Sequence, residues 1–329
     1  QKMLAGAEEH MYKNGFEIGI LFTGSPSFYR HAGWVQATNE PYCALQVSKL
    51  ANQAASGFTF RWLDRSDRVA ATRLYEDFNK DRPLTRIRDE IAWERRIDRQ
   101  GEKHKYLGAF LGGTLIGYCG IEFHGGKDAR LDIGEYAIST RGTAIEEGRV
   151  LEAMLGHVNA LAITSGSRRV GTSLPATYPL SARMRASGAE VKDGWWSPMM
   201  ILVINVPAFV EKLGMYQERV VIPSIDPAGI ARVADFCIGL AIEDPRGTDP
   251  VVVQYAKTRD RVSVRANPPG RPSNLVPISR GQLALLAFGN FTPRMLVESG
   301  NWACPEALLD PLAAFFPTVA GTVYPRDHF

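Results

Sequence analysis

One order of elements occurs twice in this chain: helix, strand, short helix closed by glycine, strand. That repetition constrains the fold more than any single motif. In the first copy, KMLAGAEEHMYKN (2–14) carries Met3, Leu4, Ala7 and Met11 at helical spacing, and Gly15 stops the helix. FEIGILF (16–22) reads as a short buried strand, SPSFYRHAG as a helix opened by proline and ended by Gly33, and WVQA as extended chain. In the second copy, EGRVLEAMLGHVNALAITS (147–165) reads as the helix and RRVGTSL as the strand. PLSARMRASG is the short helix ending at Gly188, and AEV and SPMMILVINV follow as strands.

Only the second copy has a front half. FRWLDR (60–65) reads as a strand, and RVAATRLYEDFNKD and IRDEIAWERRIDRQ as amphipathic helices. YLGAFLGGTLIGYCGIEF is a hairpin around Gly112-Gly113, and RLDIGEYAIS one more strand. The charged run RDEIAWERRIDRQ is expected to be a solvated face laced by ion pairs. The first copy lacks the equivalent ~100 residues, one ordinary domain less the visible tail. The expectation is an N-terminally incomplete copy of a longer protein. After a proline- and glycine-rich linker (Ile222–Gly229), strands FCIGLAIED and VVVQYAKTRDRVSVRANP precede helices ISRGQLALLAFG, PRMLVES and PEALLDPLAAFFP. This is an α+β pattern. The expected division is 1–57, 58–221 and 222–329.

Composition excludes several classes. Lys and Arg number 38 against 35 Asp and Glu, for a net charge of +3, so no basic field points to nucleic acid. No apolar run reaches the ~18 residues of a membrane span. The 4 cysteines and 6 histidines have no metal-ligand spacing, so no metal is expected. The cysteines read as reduced thiols and the location as cytoplasmic.

SPSFYRHAGW, with its tyrosine on the helix before Gly33, resembles a segment of the GCN5-related N-acetyltransferases (GNAT). The strand–two helices–three strands–helix–strand–helix–strand order of the second copy resembles that fold too. The last unit resembles sterol-carrier-protein-like domains. Two GNAT units, the first partial, followed by such a domain and a tail TVYPRDHF are similar to the Eis (enhanced intracellular survival) family. The fold class expected is thus mixed, α+β with α/β. The resemblance implies an acetyl-CoA-dependent transferase acting on a small-molecule amine: an aminoglycoside, polyamine or lysine. It also implies a homo-oligomer, with hexamers among its forms, and no nucleic-acid or membrane partner.

Acetyl transfer to an amine requires a held pyrophosphate, a base for the ammonium and an acid for the thiolate. The pyrophosphate loop of the first copy is expected upstream of Gln1. The second copy offers STRGTAIEEGRV (139–150), which keeps Arg141-Gly142 but sets Glu146 and Glu147 where phosphate would sit. Two carboxylates repel a pyrophosphate at close range, so this copy is expected not to bind coenzyme A. The resemblance assigns the acid to Tyr29, four residues before Gly33; the second copy has Met184 there. A phenol with a pKa of about 10 is a reasonable acid for a thiolate of about 8.5. Read from spacing alone, Tyr29 is first a helix tyrosine that packs and hydrogen-bonds once. Gly24 and Ser25 match cofactor-contacting positions of the family; capping by Ser25 or Ser27 is the alternative.

The resemblance makes the terminal carboxylate of Phe329 the general base. An α-carboxyl of about 3.5 is a poor base in water and a better one beside apolar rings. A loose terminus is the alternative. Asp327 and His328 are candidates to meet a cationic substrate. Trp196, beside Trp195, could line the cleft or belong to a core, and His31 reads as solvated. The competing function is a lipid- or hydrophobe-binding carrier, in which LALLAFG and LLDPLAAFF would line an apolar cavity.

Overall fold

The computed structural model describes residues 2–37, 41–47, 57–82, 84–139, 144–176, 178–192, 199–225, 235–247, 249–258, 261–270, 272, 274–288 and 291–317. The chain opens with α1 (Lys2–Lys13), β1 (Ile18–Phe22), α2 (Pro26–Arg30), β2 (Val35–Gln36) and β3 (Tyr42–Gln46). The front half of the second copy follows as β4 (Phe58–Trp62), α3 (Arg68–Asn79), α4 (Glu90–Trp93), β5 (His104–Leu111), β6 (Thr114–His124) and β7 (Arg130–Ile138). Its back half is α5 (Ala144–Thr164), β8 (Arg169–Thr172), α6 (Pro179–Ala186), β9 (Glu190–Lys192) and β10 (Met199–Val203). After α7 (Val206–Tyr216) come β11 (Phe236–Ile242), β12 (Val251–Thr258), β13 (Arg261–Ala266) and β14 (Asn274–Ile278). The described chain ends with α8 (Arg280–Ala287), α9 (Pro293–Glu298) and α10 (Glu306–Phe315). The architecture is mixed α/β.

The described residues form two compact units that do not follow sequence order: 2–37 with those of 199–317, and those of 41–192. In the first unit, β10 of the second copy is the middle strand of a sheet ordered β1–β10–β2, antiparallel to both neighbours. MMILV (199–203) is buried along its whole length. A strand covered on both faces reads as a continuous apolar run, as this one does. In the second unit, β3 of the first copy lies between β8 and β9 in a seven-stranded sheet, β4–β5–β6–β7–β8–β3–β9. The copies have therefore traded a strand each.

Tyr42 on β3 fixes this exchange chemically. Its hydroxyl donates to Asp132 of β7 at 2.6 Å, reaching across Gly171 of β8. A Cβ at Gly171 would lie 2.1 Å from that hydroxyl oxygen and 2.5 Å from the carboxylate, so only glycine fits.

The charged run 88–100 is not the solvated face the sequence suggests. Surface ion pairs do form, Arg68–Glu90 and Arg99–Glu94 among them. Arg88 and Arg96, however, are buried. Arg88 makes a bidentate pair with Glu135 of β7, at 2.6 and 2.7 Å, and Tyr118 donates to the same carboxylate at 2.7 Å. An interior carboxylate needs a partner, and Arg88 supplies it from a distant part of the sequence.

The last part of the first unit is a four-stranded sheet ordered β13–β12–β11–β14, with β14 parallel to β11. Ile238, Leu240, Val253, Tyr255, Phe315 and Phe316 fill its interior, and Tyr255 and Phe315 pack at 4.7 Å.

Candidate functional site

The site builds from β1 and the turn after it. Ser25 donates its backbone N–H to Thr23 Oγ1 at 2.9 Å, setting the turn that starts α2, and Pro26 opens the helix with its fixed φ. Neither serine caps: α2 has no side-chain cap at its N-terminus. Ser25 is exposed, and a Cβ on Gly24 would meet no protein atom within 4 Å. Packing thus does not explain glycine at 24, and the backbone there is open to approach.

The other end of α2 is closed tightly. Gly33 adopts φ +84°, its N–H bonds to Arg30 O at 3.0 Å, and Trp34 N–H bonds to Tyr29 O at 3.3 Å. These are the two hydrogen bonds of a Schellman cap, with Tyr29 three residues from the cap position and Trp34 just beyond the glycine. The side chains of that motif meet as well: the rings of Tyr29 and Trp34 pack edge to face at 6.2 Å. Tyr29 also touches Phe28 at 5.1 Å and lies half-buried against a core of Trp34, Met200, Leu202 and Ile204. Its hydroxyl has no hydrogen-bond partner among the described residues. His31 is engaged on its own helix, with Nδ1 at 2.7 Å from Ser27 O.

Gly19, within β1, is a positioning residue the sequence reading passed over. A Cβ there would lie 2.9 Å from Cη2 of Trp34, so glycine makes room for the indole that braces Tyr29. The signal was present, since an isolated glycine in an apolar strand marks a close approach.

The second copy repeats the frame and fills it differently. Gly188 has φ +85°, its N–H bonds to Arg185 O at 2.9 Å, and Ala189 N–H bonds to Met184 O at 3.0 Å. Met184 is fully buried. β7 and β8 pair in parallel over Arg130–Ile133, and β7 then runs on past the end of β8. Beyond that point Tyr136 packs with Phe78 at 5.1 Å and with Tyr178 at 6.1 Å, and Arg82 stacks on Phe78 at 3.8 Å. Burial pushes the Tyr136 phenol well above its ordinary range. This end of the sheet is occupied by the protein's own rings and offers no acid at the Tyr29 position.

The structure brings Gly24, Ser25 and Tyr29 together on one turn and helix. Trp196, Asp327, His328 and Phe329 lie outside the described residues, as do Arg141 and Gly142 and the side chain of Glu146. Among the described residues no group of three or more ligands suits a metal ion, and no helix is long and apolar enough to cross a membrane.

No family model and no curated protein matches the chain. Solved structures do. A GCN5-related N-acetyltransferase from Anabaena variabilis superposes with a TM-score of 0.70 at 13% identity, over 99% of this chain and 76% of its own. A conserved protein of unknown function from Enterococcus faecalis, a probable N-acyltransferase, gives 0.71 at 13%, over 99% and 76%. Eis1 from Mycobacterium abscessus gives 0.60 at 14%, over 98% and 75%. The chain has the fold of these GNAT proteins.

Proposed function

We propose that this protein is an N-acetyltransferase of the Eis type, which moves an acetyl group from acetyl-CoA to a small-molecule amine. In this reading it comprises a partial GNAT unit (1–57), a degenerate one (58–221) and a sterol-carrier-protein-like domain (222–329). The observation that carries it is the Tyr29 hydroxyl: half-buried on a capped helix, without a partner among the described residues, where the other copy has a buried methionine.

The turn at Gly24 and Ser25 fits a thioester arm, because the backbone is uncovered and the Ser25 hydroxyl is not used by the helix. When bound, acetyl-CoA supplies the acetyl group and a thiolate leaving group. The terminal carboxylate of Phe329 removes a proton from the ammonium. The neutral amine attacks the thioester carbonyl, the C–N bond forms and the C–S bond breaks. Tyr29 gives its proton to the departing sulfur and takes back the second proton, which the newly acylated nitrogen loses, while the carboxylate releases the first to solvent. Asp327, His328 and Trp196 serve the cationic substrate. The protein works in the cytoplasm as a homo-oligomer and takes no nucleic acid or metal.

The test is coenzyme A thiol release by the full-length gene product over a panel of amines. Tyr29→Phe should lose about 10²- to 10⁴-fold in kcat, the usual weight of a general acid. One glycine added after Phe329 should lose most of the rate by moving the carboxylate. Unchanged rates in both variants would remove these residues from the mechanism and leave the fold alone standing.

A further inference from the structure

Three segments distant in sequence meet at one carboxylate in the first unit. Glu8 of α1 accepts from Arg280 Nη1 at 2.7 Å, and Arg246 Nη1 lies at 3.4 Å. Arg280 opens α8, and Arg246 lies in the turn after β11, so both come from the last third of the sequence. Each guanidinium also donates to the end of β10: Arg280 to Val203 O at 3.2 Å, Arg246 to Ile204 O at 3.1 Å. All three charged side chains are largely shielded, each about one-fifth exposed: Glu8 18%, Arg280 17%, Arg246 22%. Hydrogen bonds between ionised groups so placed are among the stronger ones in a protein.

The same arginine lies against the cap of the Tyr29 helix. A Cβ on Gly33 would come 3.4 Å from Arg280 Nη2 and 3.8 Å from Nε. The next residue, Gly281, sits so close to β2 that a Cβ there would fall 2.6 Å from Val35 Cγ1. The capping box of Ser279 and Gln282 fixes the first turn of α8, and with it the stem of Arg280. Arg280 thus lies beside Gly33, the glycine of the turn that closes α2, and Gly281 packs on Val35, the first residue of the strand that follows that turn. Arg280 also holds the strand that supports Tyr29 from below, since β10 contributes Met200 and Leu202 to the core around that ring.

We infer that Arg280, clamped by Glu8, is a positioning residue that sets the closing turn of α2, so that the last domain fixes the orientation of Tyr29. This rests on the reading of Tyr29 as the acid. It gives the last domain a task separate from any ligand of its own. A misplacement of about 1 Å at a reacting group is enough to cost about 10²-fold in rate.

The experiment uses the full-length protein in four variants: Arg280→Met, Arg280→Lys, Glu8→Gln and, as control, Arg294→Ala. Arg294 pairs with Glu306 and Asp310 on the outside of the same domain. Two quantities are read: steady-state kinetics, and amide hydrogen exchange of residues 26–37 relative to residues 199–203. Arg280→Met should lower kcat about tenfold or more while KM for the amine stays within about twofold, the pattern of an interaction that matters in the transition state. Exchange at 26–37 should quicken about tenfold, because the Trp34 and Gly33 amides sit in the loosened cap. Arg280→Lys should restore part of both, Glu8→Gln should reproduce the loss, and Arg294→Ala should change neither. If Arg280→Met leaves exchange at 26–37 unchanged, the inference is overturned, whatever the activity. Exchange does not depend on acetyl transfer, so failure of Tyr29→Phe to slow the reaction would count against the function and not against the clamp. Should Arg280→Met fail to fold, Arg280→Lys and Glu8→Gln carry the same comparison.

Discussion

The carbonyl of Tyr29 accepts from the amide of Trp34 in the same closing turn in which the carbonyl of Met184 accepts from Ala189. The two residues hold one backbone position in two copies of one helix, with a phenol partly open in the first and a thioether sealed in the second. The same cap with different side chains separates folding from chemistry: the cap is required by the fold, the hydroxyl is not. Met184→Tyr should therefore create no second active site. The phenol is larger than the cavity and would bury its hydroxyl, which should lower stability by about 1–3 kcal/mol. Thermal melting, and acetylation by Tyr29→Phe/Met184→Tyr, check both halves; recovered activity in the double variant would refute it.

Gly19 gives a test of the brace behind Tyr29. Gly19→Val should displace Trp34, costing about 1–3 kcal/mol by overpacking, and should lower kcat as well. Trp34→Phe, which leaves room, should relieve part of the stability loss. Denaturant unfolding of the single and double variants measures the coupling.

The Arg88–Glu135 pair predicts a dependence on acid. Burial raises the Glu135 carboxyl, but the charge and hydrogen bonds of Arg88 outweigh it and hold the group below its ordinary 4.5. A carboxyl lowered by folding contributes stability that is complete above its unfolded value, and that stability is lost as pH falls through the folded one. Unfolding free energy should drop below pH ~4.5, and Glu135→Gln should flatten that drop. At neutral pH, Arg88→Met should cost about 3–5 kcal/mol, since it leaves a buried carboxylate unpaired. Chemical denaturation at several pH values tests all three.

Tyr42→Phe should cost about 1–3 kcal/mol, the penalty for leaving a buried acceptor on Asp132. Gly171→Ala should be worse, because the new methyl meets both the hydroxyl and the carboxylate. If Tyr42→Phe melts like the parent protein, the traded strand is held by backbone pairing alone.

Much of this frame was legible in the sequence because it rests on local signals. Pro26 and Pro179 open the two short helices, Gly33 and Gly188 close them, and both glycines have the positive φ the pattern demands. Two strands carry no local signal. β3 is a five-residue run whose partners arrive far later in the chain, so nothing nearby marks it. β14 contains Pro277, which reads as a breaker; it is tolerated because β14 is an edge strand paired on one side only. Arg88 looked like one more surface charge, since periodicity cannot see the carboxylate that buries it. The role proposed for Tyr29 rests on resemblance, while its surroundings (Trp34, Gly19 and the cap) are a matter of geometry.

The strand trade bears on how such a protein can change over time. The second copy supplies β10, the middle strand of the sheet that packs beneath Tyr29, and the first copy supplies β3 in return. Deleting either copy would remove a central strand from the other rather than shed a spare module. The duplication is thus a one-way step: side chains in either half can change, but neither half can lose its place in the chain. The second copy persists here as a structural creditor, bound to the turn that carries Tyr29 both by the backbone pairing of β10 and by the side chains of Met200 and Leu202.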